Sequence, residues 1–156
     1  MDLKSLRKTV DNIDKKIIQL LNMRVKTTLD IAKLKRKSGK SVYSPDRERE
    51  VLKKLAIINK GPLPSGALEA IYREIMSCSL SLDRPLRIAY LGPEATFTHL
   101  AALKRFGSQV EYIACNSITD VFFEVERDNT DYGVVPIENS VEGAVSHTLD
   151  MLVDSE

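Results

Sequence analysis

Apolar residues recur at Leu3, Leu6, Val10, Ile13, Ile17 and Leu20, alternating three and four positions apart. That rhythm keeps one stripe along a helix, the seam of a coiled coil rather than the alternation of a strand. The next seam positions are Arg24 and Thr27, after which Ile31 and Leu34 resume the apolar pattern. The spacing predicts one helix from Leu3 to about Lys37, stopped near Ser38-Gly39 after a basic last turn. Ser44-Pro45-Asp46 opens a second helix with a capping serine, a proline at the first helical position and an acid facing the positive end of the dipole. Val51, Leu52, Leu55 and Ile58 give that helix its apolar face, and Asn59-Lys60-Gly61-Pro62 ends it. A third helix is predicted from about Ser65 to Leu82, with Leu68, Ile71, Tyr72, Ile75, Met76, Ser79 and Leu82 at helical spacing.

Near Arg84-Pro85 the pattern changes. Arg87–Leu91, Tyr112–Cys115 and Tyr132–Ile137 read as short strands. They alternate with helices over Thr98–Phe106, from Ser117-Ile118-Thr119-Asp120 (a capping-box pattern with Asp for Glu) through Val125, and over Ser146–Val153. Such an alternation argues a parallel sheet. The expected fold is therefore an all-α three-helix domain over residues 1–84, followed by a partial α/β parallel-sheet lobe over 85–156. Three strands are few for a sheet that must bury both faces, so the second domain is expected to be incomplete. The first helix would be about 50 Å long, more than two short helices can cover. A homodimer with the long helices packed along each other is expected.

Composition narrows the function classes more than it selects one. Lys and Arg total 23 against 22 Asp and Glu, which leaves no bulk field for nucleic acid or a membrane surface. Basic patches interleaved with aromatics are also missing, which sets nucleic-acid binding aside. Cys78 and Cys115, the only cysteines, have no metal-ligand or CxxC spacing and read as buried free thiols. His99 and His147 match no triad or ligand pattern and read as solvated helix residues. No metal site is indicated. No segment reads as a targeting peptide or a membrane span, so a cytoplasmic location is expected.

The chemistry lies in the basic residues of the first helix. An arginine in a packed seam is costly unless something negative pairs with it. Arg24 and Lys35 are eleven residues apart, so they project from one face within about 20° and about 16 Å along the axis. Two long cationic side chains so placed could grip a small dianion. An interhelical salt bridge from Arg24 to Asp14 or Asp30 is the structural alternative. Arg7 lies about 25 Å from Arg24 and about 100° round the helix, so it could reach the same ligand only from a partner chain. Arg47 and Glu48, early in the second helix, can be placed over the same region.

Leu6-Arg7, Leu20-Leu21-Asn22-Met23-Arg24, Ile31-Ala32-Lys33-Leu34-Lys35 and Pro45-Asp46-Arg47-Glu48-Arg49-Glu50 resemble the all-helical chorismate mutases in order and spacing. The similarity covers roughly residues 3–83. It implies an intertwined helical homodimer, with active sites shared between chains, that converts chorismate to prephenate without a cofactor. By the same resemblance, Arg7 of the partner chain and Arg24 bind the substrate carboxylates, and Lys35 donates to the ether oxygen. Arg47 and Glu48 organise the carboxylate and hydroxyl end, while Ser79 and Asp83 add the remaining contacts. Asp83 stands where many relatives carry Gln or Glu. A carboxyl there must be protonated to donate, so activity is expected to fall as pH rises. A Claisen rearrangement suits these residues, because it needs a dianion held in a reactive conformer and cations near the breaking C–O bond.

The second half carries its own resemblance. Gly92-Pro93-Glu94-Ala95-Thr96-Phe97-Thr98 and Gly133-Val134-Val135-Pro136-Ile137-Glu138-Asn139-Ser140 are similar to segments from the first half of the prephenate dehydratase catalytic domain. Ala95 replaces a glycine of that family's signature. Mutase before dehydratase is the order of the bifunctional enzymes of phenylalanine biosynthesis. The resemblance implies that Thr96, Asn139 and Ser140 line a prephenate site, of which one wall is expected here. The family's Thr-Arg-Phe triplet and its ACT domain do not occur in these residues, so no dehydratase activity is expected from them alone. The alternative to an enzyme is a helical dimerisation module that binds chorismate or prephenate in a regulatory role without efficient turnover.

Overall fold

The computed structural model describes residues 2–139 and 143–155. The heptad reading of the N-terminal stretch holds to the residue: helix α1 spans Leu3–Lys37 without a break. Asp2 caps it, its carboxylate accepting from the Ser5 N–H at 2.8 Å. Helix α2 spans Pro45–Ile58, with Asp46 and Glu48 in its first turn. Ser44 occupies the N-cap position, but its hydroxyl makes no capping bond, contrary to the sequence reading. Helix α3 spans Ser65–Ser81 and buries small polar residues, Ser77 and Ser79, rather than a broad apolar face.

The chain divides into two compact units, Met1–Leu63 and Pro64–Glu156. In the first, the apolar stripe of α1 is open. From Leu3 to Leu20 its six seam residues remain between 45% and 63% exposed. The buried residues of that unit are Ala32 and Tyr43, at the end where α1 gives way to α2.

In the second unit α3 is tied to the turn after helix α4 (Phe97–Phe106). Glu74 accepts from the Ser108 N–H at 3.2 Å and from its hydroxyl at 2.6 Å, and Ser77 accepts from the Gln109 N–H at 3.1 Å. Gly107 makes this close approach possible, at φ +78° and ψ −175°. A β-carbon there would lie 2.6 Å from that of Ser77. Only glycine tolerates both the dihedrals and the space.

Strands β1 (Arg87–Leu91), β2 (Glu111–Cys115) and β3 (Tyr132–Val134) form a parallel sheet in the order β2-β1-β3. The central strand is buried at Ile88, Ala89 and Tyr90. Its side chains alternate between faces. Ala89 packs with Cys115 and with Val121 of helix α5 (Ile118–Glu126), while Tyr90 stacks on His99 of α4. The predicted capping box of α5 forms, with Ser117 and Asp120 bonded reciprocally. Asp131 fastens the start of the sheet by accepting from the Arg87 N–H at 2.9 Å and pairing with Arg84.

The third strand is shorter than the sequence suggests. It ends at Val134, because Pro136 has no N–H to donate, and the Pro136 carbonyl accepts instead from the Thr148 hydroxyl at 2.8 Å. Glu138–Asn139 (β4) and Gly143–Ala144 (β5) then pair as a small antiparallel ladder, which the periodicity does not reveal. Helix α6 spans Ser146–Asp154. Cys115 is buried and Cys78 half-buried, and both are free thiols. Burial raises the proton affinity of the Cys115 thiol, so it is a packing residue rather than a nucleophile.

Candidate active site

The loop between α1 and α2 folds back on the end of α1. The Ser38 N–H and hydroxyl both return to the Lys35 carbonyl, at 3.0 and 2.9 Å, and Gly39 turns the chain at φ +68°. This reversal brings the loop's carbonyls over the last turn. Lys35 is half-buried, and its ammonium donates to the Val42 carbonyl at 2.9 Å. One residue on, the buried Tyr43 donates its hydroxyl to a Glu48 carboxylate oxygen at 3.1 Å. Ser41 donates to the Tyr43 carbonyl at 3.0 Å and fixes the loop between them. Lys35 and Glu48 are thus anchored to adjacent loop residues, an ammonium donor and a carboxylate acceptor at one corner.

The other candidates are placed as follows. Arg24 is half-buried on α1, and its carbonyl accepts from the Thr28 hydroxyl at 2.9 Å. Asp30, one of the acids considered as its partner, accepts from Lys33 at 3.3 Å. Arg7 is exposed, and the unbroken helix keeps it about 25 Å from Arg24. Arg47 is exposed and pairs along its own helix with Glu50 at 2.6 Å. Hydrogen bonds from Lys54 and then Arg47 hold the Glu50 carboxyl down at about 2. In the second unit, Ser79 is buried and donates to the Ile75 carbonyl at 2.8 Å. Asp83 is half-buried just past the end of α3, its N–H bonded to the Leu80 carbonyl at 3.2 Å.

In the sheet, Thr96 is the N-cap of α4, a role the sequence reading did not give it. Its hydroxyl accepts from the His99 N–H at 3.3 Å and donates to the Pro93 carbonyl at 2.9 Å. His99 is not a plain solvated residue. Its ring stacks on Tyr90 with centroids 4.7 Å apart, and its Nδ1 accepts from the Ala95 N–H at 3.0 Å. Ala95 has φ +64°, in the left-handed region. Relief of about 1–2 kcal/mol of strain, less about 0.4–1 kcal/mol of added unfolded-chain entropy, makes Ala95→Gly stabilising. Urea unfolding should show a gain of about 0.5–1 kcal/mol. His147 is exposed and bonded to the Thr119 hydroxyl at 2.8 Å. Asn139 lies in β4, and Ser140 is outside the described residues.

Among the described residues no group of three or more His, Cys, Asp or Glu could hold a metal ion. No described helix is long and apolar enough to cross a membrane.

Residues 6–84, which include every candidate from Arg7 to Asp83, match the family model of chorismate mutase type II. The chain belongs to the chorismate mutase type II family. Residues 88–156 match the prephenate dehydratase family model, and that stretch contains Thr96, Asn139 and Ser140. The chain is 49% identical over 159 residues to a bifunctional chorismate mutase/prephenate dehydratase of Aquifex aeolicus (strain VF5), covering 99% of this chain and 44% of the relative. A protein of the same description from Escherichia coli (strain K12) is 30% identical over 165 residues, covering 95% of this chain and 43% of the relative. The chain therefore spans less than half the length of these curated relatives. Among solved structures, chorismate mutase (Form II) from Thermus thermophilus is 34% identical with a TM-score of 0.51, covering 52% of this chain and 92% of that one.

For a chorismate mutase type II chain, two functional candidates were not legible in the sequence. Val42 and Tyr43 sit in a polar loop with no periodicity, and their contacts to Lys35 and Glu48 exist only once Gly39 has reversed the backbone.

Proposed function

We propose that residues 1–84 form a chorismate mutase domain that rearranges chorismate to prephenate in phenylalanine biosynthesis, and that residues 85–156 are the first part of a prephenate dehydratase catalytic domain. The observation that carries this reading is the corner where Lys35 and Glu48 are held by adjacent residues, inside a stretch that matches the mutase family. In the reaction a C–O bond breaks as a C–C bond forms, with no proton transfer and no cofactor. Negative charge grows on the ether oxygen, and a fixed ammonium there stabilises it without reorganisation. Lys35 takes that role. An ammonium has three donors, so the one bonded to Val42 leaves two for the substrate. Arg24 binds a substrate carboxylate, and Glu48 holds the hydroxyl end with Arg47 nearby. Ser79 and Asp83 are assigned the remaining contacts on the family pattern alone, as are Thr96, Asn139 and Ser140 on the dehydratase side.

The functional unit is a homodimer, in which Arg7 reaches the site from the opposite chain. The support is the exposed seam of α1, since an apolar stripe of that length is stable in water only when something covers it. The place of work is the cytoplasm.

Arg24→Ala separates an enzyme from a ligand-binding dimerisation module. The variant should lose about 10²-fold in kcat/KM, the scale of one lost charged anchor, while sedimentation still shows a dimer. A variant that dissociates yet keeps its rate per folded chain would make Arg24 a structural residue and remove it from the site.

A further inference from the structure

We propose that Tyr43 is a positioning residue of the mutase site, acting through Glu48, and that the loop from Ser41 to Tyr43 sets the separation of the ammonium and carboxylate that grip the substrate. The inference rests on the mutase reading and deepens it.

The argument is one of constraint. Glu48 sits in the first turn of α2, and a glutamate side chain has three rotatable bonds before its carboxylate. Left alone it would sample several rotamers, each ordering cost being charged to substrate binding. Tyr43 removes that freedom from one oxygen. Its ring is buried, so its hydroxyl cannot wander, and the 3.1 Å bond to Glu48 fixes the carboxylate oxygen it reaches, in a group whose acceptor capacity exceeds that one bond. The backbone carbonyl of the same residue is fixed by Ser41 at 3.0 Å, and the preceding carbonyl, of Val42, receives Lys35 at 2.9 Å. A shift of the Val42-Tyr43 segment would therefore move the anchors of both Lys35 and Glu48, the groups proposed to hold the ether oxygen and the hydroxyl of the substrate. Catalysis of a unimolecular rearrangement depends on holding one reactive conformer, so small errors in that separation are expensive.

Tyr43→Phe tests this, because it keeps the packed ring and removes only the hydroxyl. With the purified full chain and chorismate, kcat/KM should fall about tenfold, mainly through KM, since Glu48 holds the hydroxyl end before and during the reaction. Thermal unfolding should move little. The decisive arm is the double variant. In a Glu48→Ala background the bond from Tyr43 to Glu48 is gone, so Tyr43→Phe should change the residual rate by less than about twofold. A Tyr43→Phe chain as active as the unaltered one would overturn the inference, and so would the same tenfold loss repeated without Glu48. An unaltered chain with no mutase activity overturns the mutase reading and takes this inference with it, an outcome distinct from an active chain indifferent to Tyr43→Phe.

Discussion

Replacing Lys35 by alanine is expected to lower kcat for chorismate by about 10²–10³-fold while the helical content stays unchanged. The size follows from the role proposed for the ammonium. It is half-buried at the end of α1, where a charge interacts more strongly than in open water. It is also aimed by its bond to the Val42 carbonyl rather than free to swing. In the proposed role the ether oxygen it faces carries more charge in the transition state than in chorismate, so the loss is expected on kcat more than on KM. The fold should survive, because no buried partner is left with an unmet charge. The Val42 carbonyl loses one neutral acceptor contact at a site water can reach. Steady-state kinetics on Lys35→Ala, with circular dichroism as the control for folding, give the answer. A kcat within about threefold of the unaltered chain would remove Lys35 from the reaction.

The second large effect is a recovery rather than a loss. Arg7→Ala and Arg24→Ala chains, each nearly inactive alone, should regain about one quarter of the unaltered activity when mixed and allowed to exchange subunits. Random reassortment makes half of the dimers mixed, and each mixed dimer has one site with both arginines intact and one with neither. The geometry behind this is the unbroken run of α1 from Leu3 to Lys37. It holds Arg7 about 25 Å from Arg24 and about 100° round the axis, a separation no small dianion spans. If both arginines of a site came from one chain, mixing would restore nothing.

How much could be read beforehand depended on whether the information was local. The limits of α1 were legible because a seam repeats and its stop signals, basic residues then Ser38-Gly39, are adjacent in sequence. The capping box at Ser117 and Asp120 was legible for the same reason. The third strand was overextended through Pro136 because an apolar run hides where hydrogen bonding stops, and two-residue strands have no period at all. The resemblance makes Thr96 a ligand-facing candidate, and the structure makes it the N-cap of α4. His99 was read as solvated because nothing near it in sequence announces the Tyr90 ring it stacks on, nor the left-handed Ala95 whose N–H it receives. For the proposed site, spacing made Lys35 and Glu48 candidates, and the mutase resemblance supplied their roles. Tyr43 was not such a candidate, since its contact with Glu48 depends on where a turn delivers its hydroxyl.

The most direct measurement follows the loss of chorismate absorbance with the purified chain alone, alongside its mass in solution by sedimentation. Steady loss of chorismate with formation of prephenate, from a species of twice the chain mass, is the expected result. An inert chain at micromolar concentration, or full activity from a monomer, would contradict a shared-site chorismate mutase.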